Sequence, residues 1–383
     1  MRVLFVSTSS GSRGGGELYS TALARELARC GTEISFWCAA HSRMDEMAAA
    51  FSEFAHVIRG PYWNTYDRRL RSFHYAFGDL VLREVANAWR AENPDVIHIV
   101  KQNLEDGLDL LATADSICVP SLCVIHITQS AAYLGARMSF LRDWVSRRRL
   151  SGYRGLLVTT PQARARTLRA ILPAGRKERV AVVDSGVEIP DLAKISARRA
   201  EIRSELGLCE GEMLFTCVAR LEAQKRPLLF LEKATEARKK YPNWKFLWIG
   251  GGRMESDWNR WLDIHGEDSG IRRLPWKADF MAYLAASDVY FHTASFEGFP
   301  LALLNAMSCG LPALIFDDLQ AELEVFDASE IIVSQIGDRN WMGDVSDPVR
   351  RASVAKCGWK KVCSHYSIAA MAQRYFNLYT NIW

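Results

Sequence analysis

A chain of 383 residues, 49% hydrophobic and 24% charged, has ample apolar mass for a buried core and too little polarity for disorder. No apolar run approaches the roughly 20 residues of a membrane span, and nine cysteines without a CxxC pair exclude a dense disulfide scaffold. The net charge of +4 is uneven, because residues 1–190 hold 24 basic against 19 acidic side chains and the remainder 24 against 25.

In chain order, Val3–Val6 predicts a short buried strand, followed by the glycine loop Gly14-Gly15-Gly16-Glu17 and a helix carrying Leu18, Leu23 and Leu27. Gly31 stops that helix, and "EISFWC" reads as the next strand. The polar residues directly after Val6 speak against a signal peptide. Cysteines within apolar runs, such as Cys38 and Cys123, read as reduced core thiols of a cytoplasmic protein. "NPDVIHIV" (93–100) and "VPSLCVIHI" (119–127) are two more buried strands with a helical stretch between them. The pattern restarts after residue 190, with strands at 213–221, 245–252, 287–295 and 311–316. Strands alternating with helices predict parallel sheets covered on both faces. The expected fold is α/β, two doubly wound Rossmann-like domains facing across a cleft, with ligands beyond the carboxyl ends of the strands.

Several residues at those ends suit chemistry. Gly14–Gly16 opens a helix and either meets an anion with free N–H groups or makes an ordinary tight turn. Arg220 and Lys225 follow the strand at 213–221 and read as a diphosphate site or as a solvated basic loop. His126 ends its strand, whereas His98 is embedded in one and packs there. Glu297 precedes a helix starting near Pro300, where a carboxylate is stabilising in its own right. Asn305 lies within an apolar helical run, and a buried amide there requires a backbone partner or a ligand hydroxyl. Asp317-Asp318 is a bare pair, so no metal constellation is read, and no Ser-His-Asp arrangement is found.

Taken together, these segments resemble the family 4 glycosyltransferases, retaining nucleotide-sugar enzymes of the GT-B fold. The resemblance rests on Gly14–Glu17, Pro94–His98, Pro120–His126, Ser185–Glu188, Arg220 with Lys225, Gly250–Gly252, Ala286–Asp288 and Glu297–Pro300. It implies His126, Arg220, Lys225 and Glu297 as catalytic residues. It implies Gly15, Gly16, Gly251, Trp276, Gly298, Phe299, Pro300 and Asn305 around the donor, and Glu17 on the acceptor side. Trp276 is otherwise a core tryptophan. The family carries a second glutamate where this chain has Asn305, and its following glycine-rich loop is replaced by residues 319–324.

The domains expected are residues 1–190, holding the acceptor, residues 191–365, holding the nucleotide-sugar, and a C-terminal helix, 366–383, crossing back to the first domain. The implied reaction moves a hexose-type sugar, with retention and without a cofactor or metal, from a UDP or GDP donor to a glycan or lipid-linked acceptor. Its setting would be bacterial cell-surface polysaccharide or lipopolysaccharide assembly. The alternative is a catalytically impaired protein that binds nucleotide-sugar or serves as a scaffold. The basic, aromatic run at 136–155 presents Arg142, Trp144, Arg147, Arg148 and Arg149 either to an anionic membrane or to solvent. Nucleic acid is not an expected partner.

Overall fold

The computed structural model describes residues 1–8, 15–64, 72–73, 79–266, 268, 270–297, 299–320, 326–338 and 340–382. Two units divide the chain: Met1–Gly186 with Ile368–Trp383, and Val187–Ser367. The boundaries fall within a few residues of 190 and 365, and the C-terminal helix Ile368–Asn381 belongs to the first unit.

Seven parallel strands form the first sheet: β1 (Arg2–Ser7), β2 (Glu33–Ala39), β3 (His56–Gly60), β4 (Val96–Lys101), β5 (Ser121–Ile125), β6 (Leu156–Thr159) and β7 (Val180–Val182). Their order is β3-β2-β1-β4-β5-β6-β7. The second sheet contains β8 (Met213–Val218), β9 (Trp244–Ile249), β10 (Ile271–Leu274), β11 (Val289–Phe291), β12 (Ala313–Phe316) and β13 (Ile332–Ser334), in the order β10-β9-β8-β11-β12-β13. Both are doubly wound. The strand order reverses between β1 and β4 in one and between β8 and β11 in the other, which opens a crevice at the carboxyl ends of each pair.

The strands are apolar on both faces because helices cover both. In β9, Trp244, Phe246 and Trp248 pack into one core layer with Phe215 and Phe291, while Leu247 and Ile249 enter the opposite layer with Leu214 and Val218. This period-two division follows from the pleat. The strands not foreseen are short or polar. β7 and β13 have three residues each, β6 has four, and β3 ("HVIRG") and β10 ("IRRL") are edge strands with charged side chains. An edge strand needs no continuous apolar run, since one side meets solvent.

The cysteine expectation needs correction. All nine thiols are free, but only Cys38, Cys123 and Cys217 are buried, while Cys30, Cys118 and Cys209 are exposed. Burial pushes the Cys38 thiol up to about 11 and the Cys123 thiol up to about 12, which keeps both protonated and inert. Among the described residues no helix is long and apolar enough to cross a membrane.

Candidate active site

The two switch points each gather the side chains that the sequence singled out. In the first unit, the helix Gly15–Arg29 follows β1, Gln102 follows β4, and His126 follows β5. Gly14 and the loop before it lie outside the described residues. Gly16 lies tight against both side chains: a Cβ there would stand 2.6 Å from Gln102 Nε2 and 3.0 Å from His126 Cδ2, so the Gln102 amide would have to move to admit it. Gln102 Nε2 donates to Oε1 of the buried Glu17 at 3.0 Å. Gly16, Glu17, Gln102 and His126 thus form one cluster, of which Gln102 was missed. Its signal was its place, one residue past a buried strand at the reversal of strand order.

Asp106 organises the loop after β4. It accepts from the Asn103 backbone N at 2.8 Å, from the Gln102 backbone N at 3.2 Å, and from the Thr8 hydroxyl. The His126 ring meets Tyr19 edge-on, with centroids 5.0 Å apart, and the Tyr19 and Tyr375 hydroxyls are hydrogen-bonded. Its Nε2 is shielded from solvent and has no hydrogen-bond partner among the described residues. Burial lowers the His126 pKa to about 4, against an opposing pull from Asp106, so the ring is neutral near pH 7. His98, buried in β4, packs flat on Phe5 at 4.4 Å and bonds Tyr379 through Nδ1 at 2.6 Å.

In the second unit, the loop after β8 is laced to the loop after β11. Gln224 Nε2 donates to Phe296 O at 2.7 Å, Ser295 N donates to Gln224 O at 2.9 Å, and Thr293 Oγ1 donates to Lys225 O at 2.8 Å. Arg226 donates to Thr293 O at 2.6 Å and grips Asp318 with two bonds of 2.7 and 3.0 Å. This lacing brings Lys225 Nζ to 2.5 Å and His292 Nε2 to 3.1 Å from Oε1 of buried Glu297. Burial alone would raise the Glu297 pKa, but Lys225 and His292 outweigh it and hold the carboxyl at about 2. His292 was not anticipated, although it lies one residue past β11, the position that makes His126 stand out after β5.

Arg220, two residues beyond β8, is exposed, and its guanidinium has no hydrogen bond or ion pair among the described residues. Gly250–Gly252 turns against the same segment. Leu221 N donates to Gly251 O at 2.9 Å, and a Cβ on Gly250 would meet Ala219 O at 2.1 Å. Phe299 is half-buried against Tyr366, and Pro300 is buried immediately before the helix Leu301–Ser308. Gly298 and residues 321–325 lie outside the described residues.

Three readings change. Asn305 is not a buried amide: Leu301, Ala302, Asn305 and Cys309 form the partly exposed face of their helix, while Leu303, Leu304, Ala306 and Met307 face the core. Its side chain has no hydrogen bond among the described residues, so the amide is available to a ligand or to water. Trp276 is 43% exposed and packs only loosely on Phe280, which removes the core alternative. Arg142 and Arg149 do not face outward. Arg142 forms a two-pronged pair with buried Glu105 at 2.6 and 2.7 Å, and Arg149 pairs with Asp115 at 2.9 Å, their side chains being 12% and 15% exposed. Trp144, Arg147 and Arg148 remain outward. Asp288, in the stretch Ala286–Asp288, accepts from Arg199 at 2.6 Å, Arg203 at 3.2 Å and the Leu214 N at 2.8 Å.

Residues 13–189 match the family described as "Glycosyltransferase Family 4", and residues 198–335 match "Glycosyl transferases group 1". With two doubly wound units whose strand order reverses at each cluster, the chain belongs to the GT-B glycosyltransferases of family 4. It is similar to the Escherichia coli UDP-Gal:alpha-D-GlcNAc-diphosphoundecaprenol alpha-1,3-galactosyltransferase, 32% identical over 142 residues, which is 36% of each chain. The match therefore spans about a third of that relative's length. The alpha-monoglucosyldiacylglycerol synthase of Acholeplasma laidlawii is 22% identical over 284 residues, 71% of this chain and 69% of that one. Anabaena HepE, solved in complex with UDP, superposes with a TM-score of 0.78 at 16% identity over the full length of both chains.

Proposed function

We propose that this protein transfers a hexose-type sugar from a nucleotide-sugar, UDP-linked in preference to GDP-linked, to a glycan or lipid-linked acceptor, retaining anomeric configuration. The observation that carries the reading is the cationic pair after β8: Lys225 is clamped to buried Glu297 while Arg220 stays unpaired. In this reading Arg220 and Lys225 meet the charge that builds on the departing diphosphate, a task that needs no metal. Glu297, ionised and held by Lys225 and His292, accepts hydrogen bonds from the donor sugar's hydroxyls. Asn305 takes a ribose hydroxyl with its free amide. Trp276 offers an exposed ring to the base.

His126, neutral and held by Tyr19, orients the sugar without adding charge, and Glu17 with Gln102 lines the acceptor side. The acceptor hydroxyl attacks from the face the diphosphate leaves, the leaving phosphate taking its proton, so no protein nucleophile is assigned. A lipid-linked acceptor is supported by the relatives' printed substrates and by one exposed apolar stretch. Tyr133, Leu134, Met138, Phe140, Leu141 and Trp144 are all exposed, Phe140 by 80%, beside outward Arg147 and Arg148. Such a surface suits peripheral docking on the cytoplasmic face of an anionic membrane, in cell-surface polysaccharide or lipopolysaccharide assembly.

Calorimetric titration with UDP, GDP and ADP, without added metal, tests the donor site. Binding of UDP that disappears in Arg220→Ala is the expected result. Binding of none of the three would remove the nucleotide-sugar reading, and nucleotide binding without transfer to any glycolipid acceptor would leave the binding-subunit alternative.

A further inference from the structure

A cavity of about 330 Å³ lies in the first unit, at the end of its sheet opposite the switch point. Cys118–Pro120 on its wall precede β5, Arg154 and Gly155 precede β6, and Arg179 precedes β7. Because the strands are all parallel, these amino ends share one edge of the sheet, and Gln102 and His126 stand at the other.

Part of the wall is apolar, from Val119, Pro120 and Ile382. Arg154 and Arg179 supply the polar side, and neither guanidinium has a hydrogen bond or ion pair among the described residues. Asp115, the one carboxylate lining the cavity among those residues, is already engaged. Its Oδ2 accepts from Arg149 at 2.9 Å and its Oδ1 from the Arg154 backbone N at 2.9 Å. A further guanidinium, Arg176, lies close to Asp115, Tyr153 and Arg179, with its Nη2 buried and unpartnered among the described residues. Burial and the neighbouring Arg179 push the Arg176 pKa down, as expected of a cation short of acceptors.

The Asp115 carboxylate is thus already taken by Arg149 and by the Arg154 backbone, and the guanidiniums of Arg154 and Arg179 line the cavity with no acceptor of their own among the described residues. The buried Arg176 Nη2 lacks an acceptor among those residues, and the exposed Arg154 and Arg179 leave uncompensated positive charge beside it, which an anion with several oxygens would offset. Guanidinium forks match the tetrahedral face of a phosphate. The volume is at the small end of ligand pockets, which run from roughly 300 to 1,000 Å³.

We propose that this cavity binds a phosphate-bearing ligand, a monoester or diphosphate held by Arg154 and Arg179 with its apolar part against Val119, Pro120 and Ile382. The cavity shares no lining residue with the proposed donor site, and its test does not depend on transfer activity.

Cys118 lines the cavity and is exposed, so its alkylation rate, followed by peptide mass spectrometry, reports occupancy. Exposed Cys30 and Cys209 serve as internal controls. Inorganic pyrophosphate at ten times its Kd should slow Cys118 alkylation about tenfold and leave Cys30 and Cys209 unchanged. The double variant R154A/R179A, which alters only exposed side chains, should lose the protection while keeping its unfolding midpoint. Arg220→Ala should keep it. Glycerol phosphate and phosphatidylglycerol vesicles separate the sources: protection by the first marks a soluble ligand, and by the vesicles alone a lipid headgroup. The proposal is overturned if no probe protects Cys118, if R154A/R179A is protected equally, or if Arg220→Ala abolishes protection.

Discussion

Lys225 Nζ and Glu297 Oε1 lie 2.5 Å apart across two loops separated by 72 residues in sequence, with both side chains largely withdrawn from solvent. Removing one partner leaves the other charge buried. Lys225→Met should therefore destabilise the second unit by about 3 kcal/mol. The double variant K225M/E297Q should lose less than the sum of the singles, because it removes the orphaned charge as well. Urea denaturation of the four proteins measures the coupling, and strict additivity would show that the pair does not interact.

The same pair sets an acid limit. The Glu297 carboxyl is held at about 2 against an ordinary value of 4.5, so the folded state takes up its proton later than the unfolded one. Its contribution to stability is complete above pH 4.5 and is lost as pH falls through about 2. Between those values the stability of Glu297→Gln should fall less steeply with acid than that of the wild type, by up to about one proton in the slope. Equal slopes would place the Glu297 carboxyl at its ordinary value.

Two histidines act at milder acidity. Burial lowers the His98 pKa to about 3, with His126 lowering it further, and His126 itself lies at about 4, whereas both titrate near 6.5 when unfolded. The folded protein therefore binds fewer protons as pH falls below 6.5, and stability declines down to about pH 4. The decline should approach about 2.7 kcal/mol per pH unit from these two rings, and half of that in His98→Asn. Histidine-resolved NMR should show neither imidazole titrating between pH 5 and 8. A transition near 6.5 on His126 would mean that its ring is charged during turnover near neutrality.

A side chain on Gly16 would have to displace Gln102. Gly16→Ala would place a methyl 2.6 Å from Gln102 Nε2, forcing that amide away from Glu17 and crowding His126. Transfer should fall by about 100-fold, the scale expected for a misplacement of about 1 Å at a reacting site, with UDP affinity in the second unit unchanged. Weakened UDP binding with normal turnover would contradict this.

The hydroxyls of Tyr19 and Tyr375 satisfy one another in the first-unit core. Tyr375→Phe leaves the Tyr19 hydroxyl buried and unpartnered, at a cost of about 1–3 kcal/mol. The double variant Y19F/Y375F should recover part of that loss. Denaturation checks the cycle, and a double variant as weak as the two singles combined would refute the pairing.

Much of the fold was readable because central strands of a parallel sheet are apolar on both faces and stand out as runs such as "VIHIV" and "KFLWI". Edge strands escaped for the opposite reason: "IRRL" and "HVIRG" meet solvent on one side and have no apolar run to display. The same logic exposed Arg220, Lys225, Glu297 and His126, polar residues set directly after such runs. His292 and Gln102 had equivalent positions, but their roles exist only where Glu297 and Glu17 come back to meet them.

Sequence by itself determined two doubly wound units and the strand ends where polar groups collect, since both follow from local periodicity and from where apolar runs stop. Which of those groups are spoken for was decided by tertiary structure. Six arginines between residues 136 and 155 look alike in sequence, yet Glu105, 37 residues before Arg142, and Asp115, 34 before Arg149, draw those two inward and leave Arg147 and Arg148 outside. Likewise the fold gives Lys225 a carboxylate and Arg220 none. Charge pairing acts over a few ångströms of space, and chain distance does not report it.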